Sequence, residues 1–192
     1  KRINFFKSPF PHLLIEDALP KEYYNILSSK FPIDFFKSIE EENENNLRKD
    51  LFNEEIKEKK DIDIYWKNFI SYHSSKSFLN EILDFFYDDI FQKYPKKFKD
   101  LDFLKNLDTN NQLSTSVNTP VKKQSSVRGA HLDNLNKLFT GLFYMKIDED
   151  RSSGGNLELY SWRKNYSNVK KRLLGSKDIS MEHVILKKTI NY

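Results

Sequence analysis

The hydrophobic pattern of this chain changes near residue 100, and the change restricts the fold more than any other feature. Before it, apolar residues recur at helical spacing, at Ile62, Tyr65, Trp66, Phe69 and Ile70, and again at Phe78, Leu79, Ile82, Leu83, Phe86 and Ile90. After it come short segments rich in β-branched and aromatic residues, which predict strands and are separated by Gly, Asn, Asp and Ser: QLSTSVNTP, SSVRGAHLD, LFTGLFYMKID, GGNLELYSW and MEHVILKKTIN. Helices followed by strands predict an α+β fold, in which N-terminal helices support a mostly antiparallel sheet or sandwich.

The first sixty residues contain two further signals. A short apolar stretch at residues 13–15 predicts a strand, and Pro20 with Glu22 marks the first turn of a helix that follows it. Residues 40–60 are dense in charge and asparagine, which predicts a solvated helix, a loop, or some of each. The aromatic stripes of the later helices are interpreted as core packing and not as a cofactor pocket.

Composition limits the classes of partner. The 192 residues suit one domain, and the absence of cysteine leaves imidazole and carboxylate as metal ligands. The net charge of +4 comes from 32 basic and 28 acidic residues dispersed along the chain, so no nucleic-acid partner is expected. No apolar run could cross a bilayer and no signal peptide opens the sequence, which predicts a soluble, cytoplasmic protein without a membrane partner.

A histidine and an aspartate lie two positions apart in the stretch RGAHLDN. In a strand, side chains at i and i+2 leave on the same face, so His131 and Asp133 would direct a nitrogen and an oxygen to one point, with Leu132 facing away. Such a pair suits a divalent first-row metal, and a second histidine would complete a 2-His-1-carboxylate triad. Taken alone, the tripeptide is more readily interpreted as a histidine and an aspartate that cap a polar turn.

The surrounding motifs add a family resemblance. Three motifs follow one another in the second half of the chain. They are H-x-D-N at His131, Asp133 and Asn134, T-x-x-x-Y at Thr140 and Tyr144, and the paired glycine Gly154-Gly155 leading into an alternating strand with Leu157 and Leu159. This order resembles the Fe(II)- and 2-oxoglutarate-dependent dioxygenases, in particular their prolyl-4-hydroxylase-like branch. The opening SPFPHLLIEDALPKEYYNIL is similar to the strand and helix that often precede this core.

The resemblance implies a double-stranded β-helix (jelly-roll) core, within a single oxygenase-like domain over residues 1–192 that is mainly helical to residue 100 and β from 101 to 192. It implies Fe(II) held by His131 and Asp133, 2-oxoglutarate whose distal carboxylate is bound by the Tyr144 hydroxyl, and ascorbate as a further candidate cofactor. The reaction would hydroxylate a C–H bond of a peptide, such as a prolyl residue, or of a small molecule. From the sequence, a half-buried core position for Tyr144 is as well supported as a role in binding 2-oxoglutarate. Arg128 has three open interpretations: it pairs with Asp133, binds a carboxylate of cosubstrate or substrate, or is solvated.

The end of the sequence departs from the family pattern. The family has a second histidine on a strand after the paired glycine, with an arginine or lysine about ten residues beyond it. Here only His183 follows, with Lys187 and Lys188 as the remaining cations. A surface or pairing role is the main interpretation of His183, with the third metal ligand as the alternative, and His12 and His73 are interpreted as structural. We therefore expect the third ligand, the 2-oxoglutarate-binding arginine and the last strands to lie beyond residue 192, and this form to bind iron weakly and turn over little.

Two other functions fit the same residues. A non-catalytic β-sandwich binding module could retain an incomplete metal site, and a cupin-like metalloenzyme could use the pair without 2-oxoglutarate. The oligomeric state is not predicted by any feature of the sequence.

Overall fold

The fold is known from a computed structural model. The structure describes residues 1–35, 48–93, 101–106, 114–118, 129–133, 137–145, 151, 153–164, 179 and 181–191. The chain divides into two compact units, the first formed by Lys1–Ala18 and Ser126–Tyr192 and the second by Leu19–Ser125. The interpretation of residues 1–192 as one domain stays a prediction.

The second unit contains most of the described helices. Its elements are α1 (Lys21–Ser29), β3 (Arg48–Phe52), α2 (Asn53–Glu58), α3 (Ile64–His73), α4 (Lys76–Lys93), α5 (Leu101–Asn106) and β4 (Ser114–Asn118). Pro20 precedes α1 with φ of −54°, a value already close to that of a helix. Asp63 caps α3, because its carboxylate accepts a 2.9 Å hydrogen bond from the Tyr65 backbone N–H. The predicted helices at the N-terminus and over residues 62–90 are confirmed.

The core of this unit is built from the apolar faces of its helices. Leu27, Ile56, Ile70 and Leu83 are almost completely buried, and the Trp66 indole lies among them. The Trp66 N–H donates a buried 2.8 Å hydrogen bond to the carbonyl oxygen of Leu27, which joins α3 to α1. The predicted core packing of the helical stripes is confirmed for their buried members, whereas Tyr65 is 41% exposed; the buried members are Ile62, Trp66, Phe69, Ile70, Leu79, Leu83 and Ile90.

The strands β3 and β4 pair antiparallel in the second unit, from Arg48 opposite Asn118 to Phe52 opposite Ser114. Residues 48–52 and 53–58 fall in the charged region for which a solvated helix or loop is predicted. The helix α2 is present there, but the strand was not predicted. Leu51 and Ile56 are buried, so this region contributes more to the core than its charge indicates.

The first unit contains the remaining described strands. They are β1 (Arg2–Phe6) and β2 (His12–Glu16), which form one antiparallel pair, and β5 (Leu157–Trp162) and β6 (Val184–Ile190), which form another. A 3-10 turn at Met181–His183 leads into β6. Strands are confirmed at residues 13–15, in the stretch after the paired glycine and in MEHVILKKTIN. The described residues thus combine helices with two-stranded antiparallel sheets, and the jelly-roll core stays a prediction.

The stretch LFTGLFYMKID was predicted to form a strand, and this is wrong for residues 137–145, which form neither helix nor strand. A half-buried strand needs alternating side chains on an apolar surface. Instead, three consecutive side chains are all exposed to solvent, those of Leu142, Phe143 and Tyr144. The strand was expected from the β-branched and aromatic composition of this stretch. The conformation depends instead on whether these side chains find an apolar surface to pack on.

Candidate metal centre

The segment that carries His131 and Asp133 is held by a distant part of the first unit. The carbonyl oxygen of Ala130 accepts a 2.6 Å hydrogen bond from the backbone N–H of Ile179, whose side chain is buried. His131 itself takes part in a single β-bridge. Residues 129–133 are therefore anchored by the chain that precedes β6.

The ring of His131 is oriented by its own backbone. Its Nδ1 lies 2.8 Å from the carbonyl oxygen of Gly129. Because a carbonyl oxygen can only accept, Nδ1 carries the proton and donates it. In the neutral ring the lone pair is then on Nε2, which is the arrangement found in histidines that bind metals.

The two side chains approach each other, although residues 129–133 form no strand beyond the bridge at His131. The Nε2 of His131 lies 3.7 Å from Oδ1 of Asp133, and both side chains are about one-third exposed. This distance is too long for a direct hydrogen bond. A cation or a proton between these two atoms would stabilise their approach, so the pair is compatible with a cation site and with a direct ion pair.

The carboxylate of Asp133 is oriented through its other oxygen. Oδ2 accepts a 2.6 Å hydrogen bond from the Thr140 hydroxyl, and the Lys137 ammonium lies 3.4 Å from the same oxygen. The Thr140 hydrogen bond holds the pKa of Asp133 below its ordinary value, against the effect of partial burial, and the charge of Lys137 adds to the lowering. The carboxyl group of Asp133 is therefore an anion at neutral pH.

The pair fits a first-row divalent metal in its chemistry and nearly in its spacing. Two ligands that each lie about 2.1 Å from one metal are about 3.0 Å apart at a right angle and about 3.4 Å apart at a tetrahedral angle. The observed 3.7 Å separation would have to close by about 0.3 Å for the tetrahedral angle and by about 0.7 Å for the right angle. One neutral nitrogen and one carboxylate oxygen are ligands that iron, manganese and zinc accept.

A third protein ligand is not brought to this pair by the residues that the structure describes. Within them, no group of three His, Asp or Glu side chains could hold a metal. His183 lies in the 3-10 turn before β6, with its Nε2 3.2 Å from Oε1 of Glu182. The main interpretation of His183, as a pairing histidine, agrees with this contact.

The other predicted residues lie in several settings. Tyr144 is 43% exposed in the irregular segment after Thr140. Lys188 places its ammonium over the Phe6 ring, 3.2 Å from the ring centre, and Lys187 is exposed on β6. Arg128 and Asn134 lie outside the described residues.

Both residues of the paired glycine have the positive φ that glycine adopts more readily than other residues. Gly154 and Gly155 have φ of 97° and 74°, in the region that other residues avoid. A β-carbon at either position would meet no atom within 4 Å, so the backbone conformation and not space requires glycine. The strand β5 follows, with Leu159 buried and Leu157 half-buried.

The structural interpretation of two histidines is confirmed. His12 bonds the carbonyl oxygen of Phe10 through Nδ1 and stacks on the Phe6 ring. His73 ends α3, bonds the Phe69 carbonyl oxygen, and packs against aromatic rings.

Sequence reasoning missed the contacts that orient Asp133. Thr140 was noted only as a motif position, and Lys137 was not considered. The available signal was their spacing, since a cation four residues and a hydroxyl seven residues after the aspartate can both fold back onto it in an irregular segment.

A groove of about 610 Å³ lies in the second unit, lined in part by Phe31, Phe35, Ile62 and the Lys30–Asp63 ion pair. None of its lining residues belongs to the predicted metal site. It is a mixed polar and aromatic surface at the end of α1.

None of the helices in the described part of the chain combines the length and the apolar character needed to cross a bilayer. Comparison of the chain with family models, curated proteins and solved structures found no match.

Proposed function

We propose that this chain is a non-haem Fe(II) dioxygenase that couples the decarboxylation of 2-oxoglutarate to the hydroxylation of a C–H bond. The observation that carries the proposal is the 3.7 Å approach of His131 Nε2 and Asp133 Oδ1, each fixed from behind by a hydrogen bond. The order of motifs around this pair supports the 2-oxoglutarate-dependent class.

Each residue of the site has a defined task in this proposal. His131 and Asp133 hold the metal, and Gly129 and Thr140 orient these two ligands. The Tyr144 side chain is 43% exposed, and its hydroxyl would donate to the distal carboxylate of 2-oxoglutarate. When bound, Fe(II) would supply the activation of dioxygen.

The overall reaction converts R–H, dioxygen and 2-oxoglutarate into R–OH, succinate and carbon dioxide. The proposed substrate is a peptide, such as one with a prolyl residue, or a small molecule. The proposal includes ascorbate as an accessory reductant and a cytoplasmic location, where iron is kept in the ferrous state.

The first test is independent of the substrate. The protein is titrated anaerobically with Fe(II) and then with 2-oxoglutarate, and the visible charge-transfer absorption of a 2-oxo acid chelated to Fe(II) is recorded. Because iron binding by this form is expected to be weak, we expect this band in the wild type only at high Fe(II) concentration, and its loss in His131→Ala and Asp133→Ala. Succinate release under air, with and without a proline-containing peptide, then measures turnover.

The matched control is His12→Gln. His12 has the same local hydrogen bond as His131, from Nδ1 to the carbonyl oxygen two residues earlier, also at 2.8 Å, but it stacks on Phe6. This variant should keep the band and the succinate release. If the wild type bound no Fe(II) and formed no succinate, the proposal would be wrong and the binding module would be favoured. Metal binding with no response to 2-oxoglutarate would favour the cupin-like alternative instead.

A further inference from the structure

The two oxygens of the Asp133 carboxylate have different environments. Oδ2 accepts the hydrogen bond of Thr140 at 2.6 Å and faces the ammonium of Lys137 at 3.4 Å. A carboxylate oxygen has two lone-pair directions, so both directions of Oδ2 are directed to donors. Oδ1 is the oxygen that faces His131 Nε2. Oδ1 is thus the oxygen placed to bind a metal, and Oδ2 is the oxygen bound by other protein side chains.

This division matters because a carboxylate can bind a metal with one oxygen or with both. A carboxylate held only by its own χ angles can rotate and take a second coordination position. The hydroxyl of Thr140 opposes that rotation, since turning Oδ2 to the metal would break a short hydrogen bond to an anion, the stronger kind of hydrogen bond.

We propose that Thr140 is a positioning residue, whose hydroxyl holds Oδ2 of Asp133 away from the metal so that the carboxylate binds through Oδ1 and a coordination position stays open for the cosubstrate. This inference rests on the proposed metal site. Thr140 touches neither metal nor cosubstrate and acts through Asp133.

The contribution of Lys137 is smaller than that of Thr140. Its ammonium is farther from Oδ2, and its side chain is 53% exposed, so water and salt screen the interaction. Lys137→Met should therefore change metal binding less than Thr140→Val, which removes the short hydrogen bond and keeps the branched shape.

The first measurement is the affinity for Mn(II), followed by the loss of the electron paramagnetic resonance signal of the free ion. Second-sphere partners of metal ligands typically contribute about 10- to 100-fold to affinity, so Thr140→Val should weaken Mn(II) binding by about 10-fold or more. Thr140→Ser restores the hydroxyl and should restore the affinity. Thr189→Val is the matched control, because Thr189 is exposed on β6 opposite Glu158.

The second measurement identifies how the carboxylate binds. In the infrared difference spectrum between Mn(II)-loaded and metal-free protein, the separation of the antisymmetric and symmetric carboxylate stretches is larger for one-oxygen binding than for two-oxygen binding. We expect a large separation in the wild type and in Thr140→Ser, and a smaller one in Thr140→Val. The bands should vanish in Asp133→Asn, which assigns them. A purely structural role for Thr140 would not change this separation.

The outcomes distinguish this inference from the proposed function. Absence of Mn(II) and Fe(II) binding by the wild type would overturn both. Normal metal binding with the same affinity and the same stretch separation in Thr140→Val would overturn the positioning role and leave the metal site intact. Thr140 is exposed, so Thr140→Val should fold, and Thr140→Ala provides a second variant without the hydroxyl.

Discussion

The hydroxyl of Thr140 donates a 2.6 Å hydrogen bond to Oδ2 of Asp133, seven residues earlier in the chain. The contact joins two motif positions that the sequence relates only by their order. It also gives Asp133 a defined charge and orientation before any metal binds.

The first prediction concerns the acidity of Asp133 in the metal-free protein. The Thr140 hydrogen bond is the largest cause of its lowered pKa, so the pKa of Asp133 should rise in Thr140→Val and stay low in Thr140→Ser. A carboxyl ¹³C chemical-shift titration measures it. Because the folded pKa is below the unfolded one, Asp133 stabilises the fold above its unfolded pKa, and this contribution is lost as the pH falls through the folded pKa. An unchanged pKa in Thr140→Val would contradict the assignment.

The second prediction concerns the paired glycine. Gly154→Ala should lower the free energy of unfolding by about 1–2 kcal/mol, because a β-carbon is disfavoured at positive φ. No atom lies within 4 Å of that added carbon, so a clash does not contribute. Urea denaturation measures the change.

Gly129 and Gly141 are matched controls for this substitution. A β-carbon at either would also meet nothing within 4 Å, and neither has a positive φ. Gly129→Ala and Gly141→Ala should therefore be neutral or slightly stabilising. Equal destabilisation at Gly129, Gly141 and Gly154 would show that backbone conformation is not the cause.

The third prediction concerns the indole of Trp66. At the end of α1, the Phe31 N–H donates to the carbonyl oxygen of Ser28 and not to that of Leu27. The Trp66 N–H donates to the Leu27 carbonyl oxygen in its place. Trp66→Phe should lower the free energy of unfolding by at least about 1–3 kcal/mol, the cost of a buried acceptor without its donor. The half-buried Tyr87 offers a control, and Tyr87→Phe should cost less than about 1 kcal/mol. Equal effects would contradict a special role for Trp66.

The fourth prediction is a pH dependence at His73. Burial holds the pKa of His73 below its ordinary value, while its bond to the Phe69 carbonyl oxygen and the charge of Glu81 oppose the lowering. The unfolded chain therefore binds a proton more readily than the folded one, and stability should fall as the pH drops below about 6.5.

Urea unfolding at a series of pH values tests this prediction. The free energy of unfolding of the wild type should fall more steeply with decreasing pH than that of His73→Gln. The variant loses ring packing at every pH, so the slope and not the absolute stability is compared. Parallel slopes would show that His73 does not titrate differently in the two states.

Local patterns in the sequence were enough to predict part of the structure. The approach of His131 and Asp133 is expected from their i, i+2 spacing in a strand, although only His131 forms a bridge, and the α3 and α4 helices follow from helical spacing. The positive φ of Gly154 follows from its residue type. In each case, the information lies within a few residues of the feature.

Features that depend on distant partners were not predicted. The strand β3 has a charged sequence without alternation and forms because β4 pairs with it. The irregular course of residues 137–145 depends on which neighbours could bury Leu142 and Tyr144. The contact of Thr140 with Asp133 depends on that irregular course, so the motif is visible in the sequence but its geometry is not.

The last prediction concerns Tyr144 and follows from the proposed function. If the Tyr144 hydroxyl donates to the distal carboxylate of 2-oxoglutarate, its removal costs a hydrogen bond to a charged group, about 1.5–3 kcal/mol, or roughly tenfold or more in affinity. Tyr144→Phe should therefore raise the 2-oxoglutarate concentration needed for half-maximal charge-transfer absorption and leave the Fe(II) affinity unchanged. Tyr160→Phe is the control, because the Tyr160 hydroxyl already donates to Glu158. A Tyr144→Phe variant with unchanged 2-oxoglutarate affinity would return Tyr144 to a structural role without affecting the metal ligands.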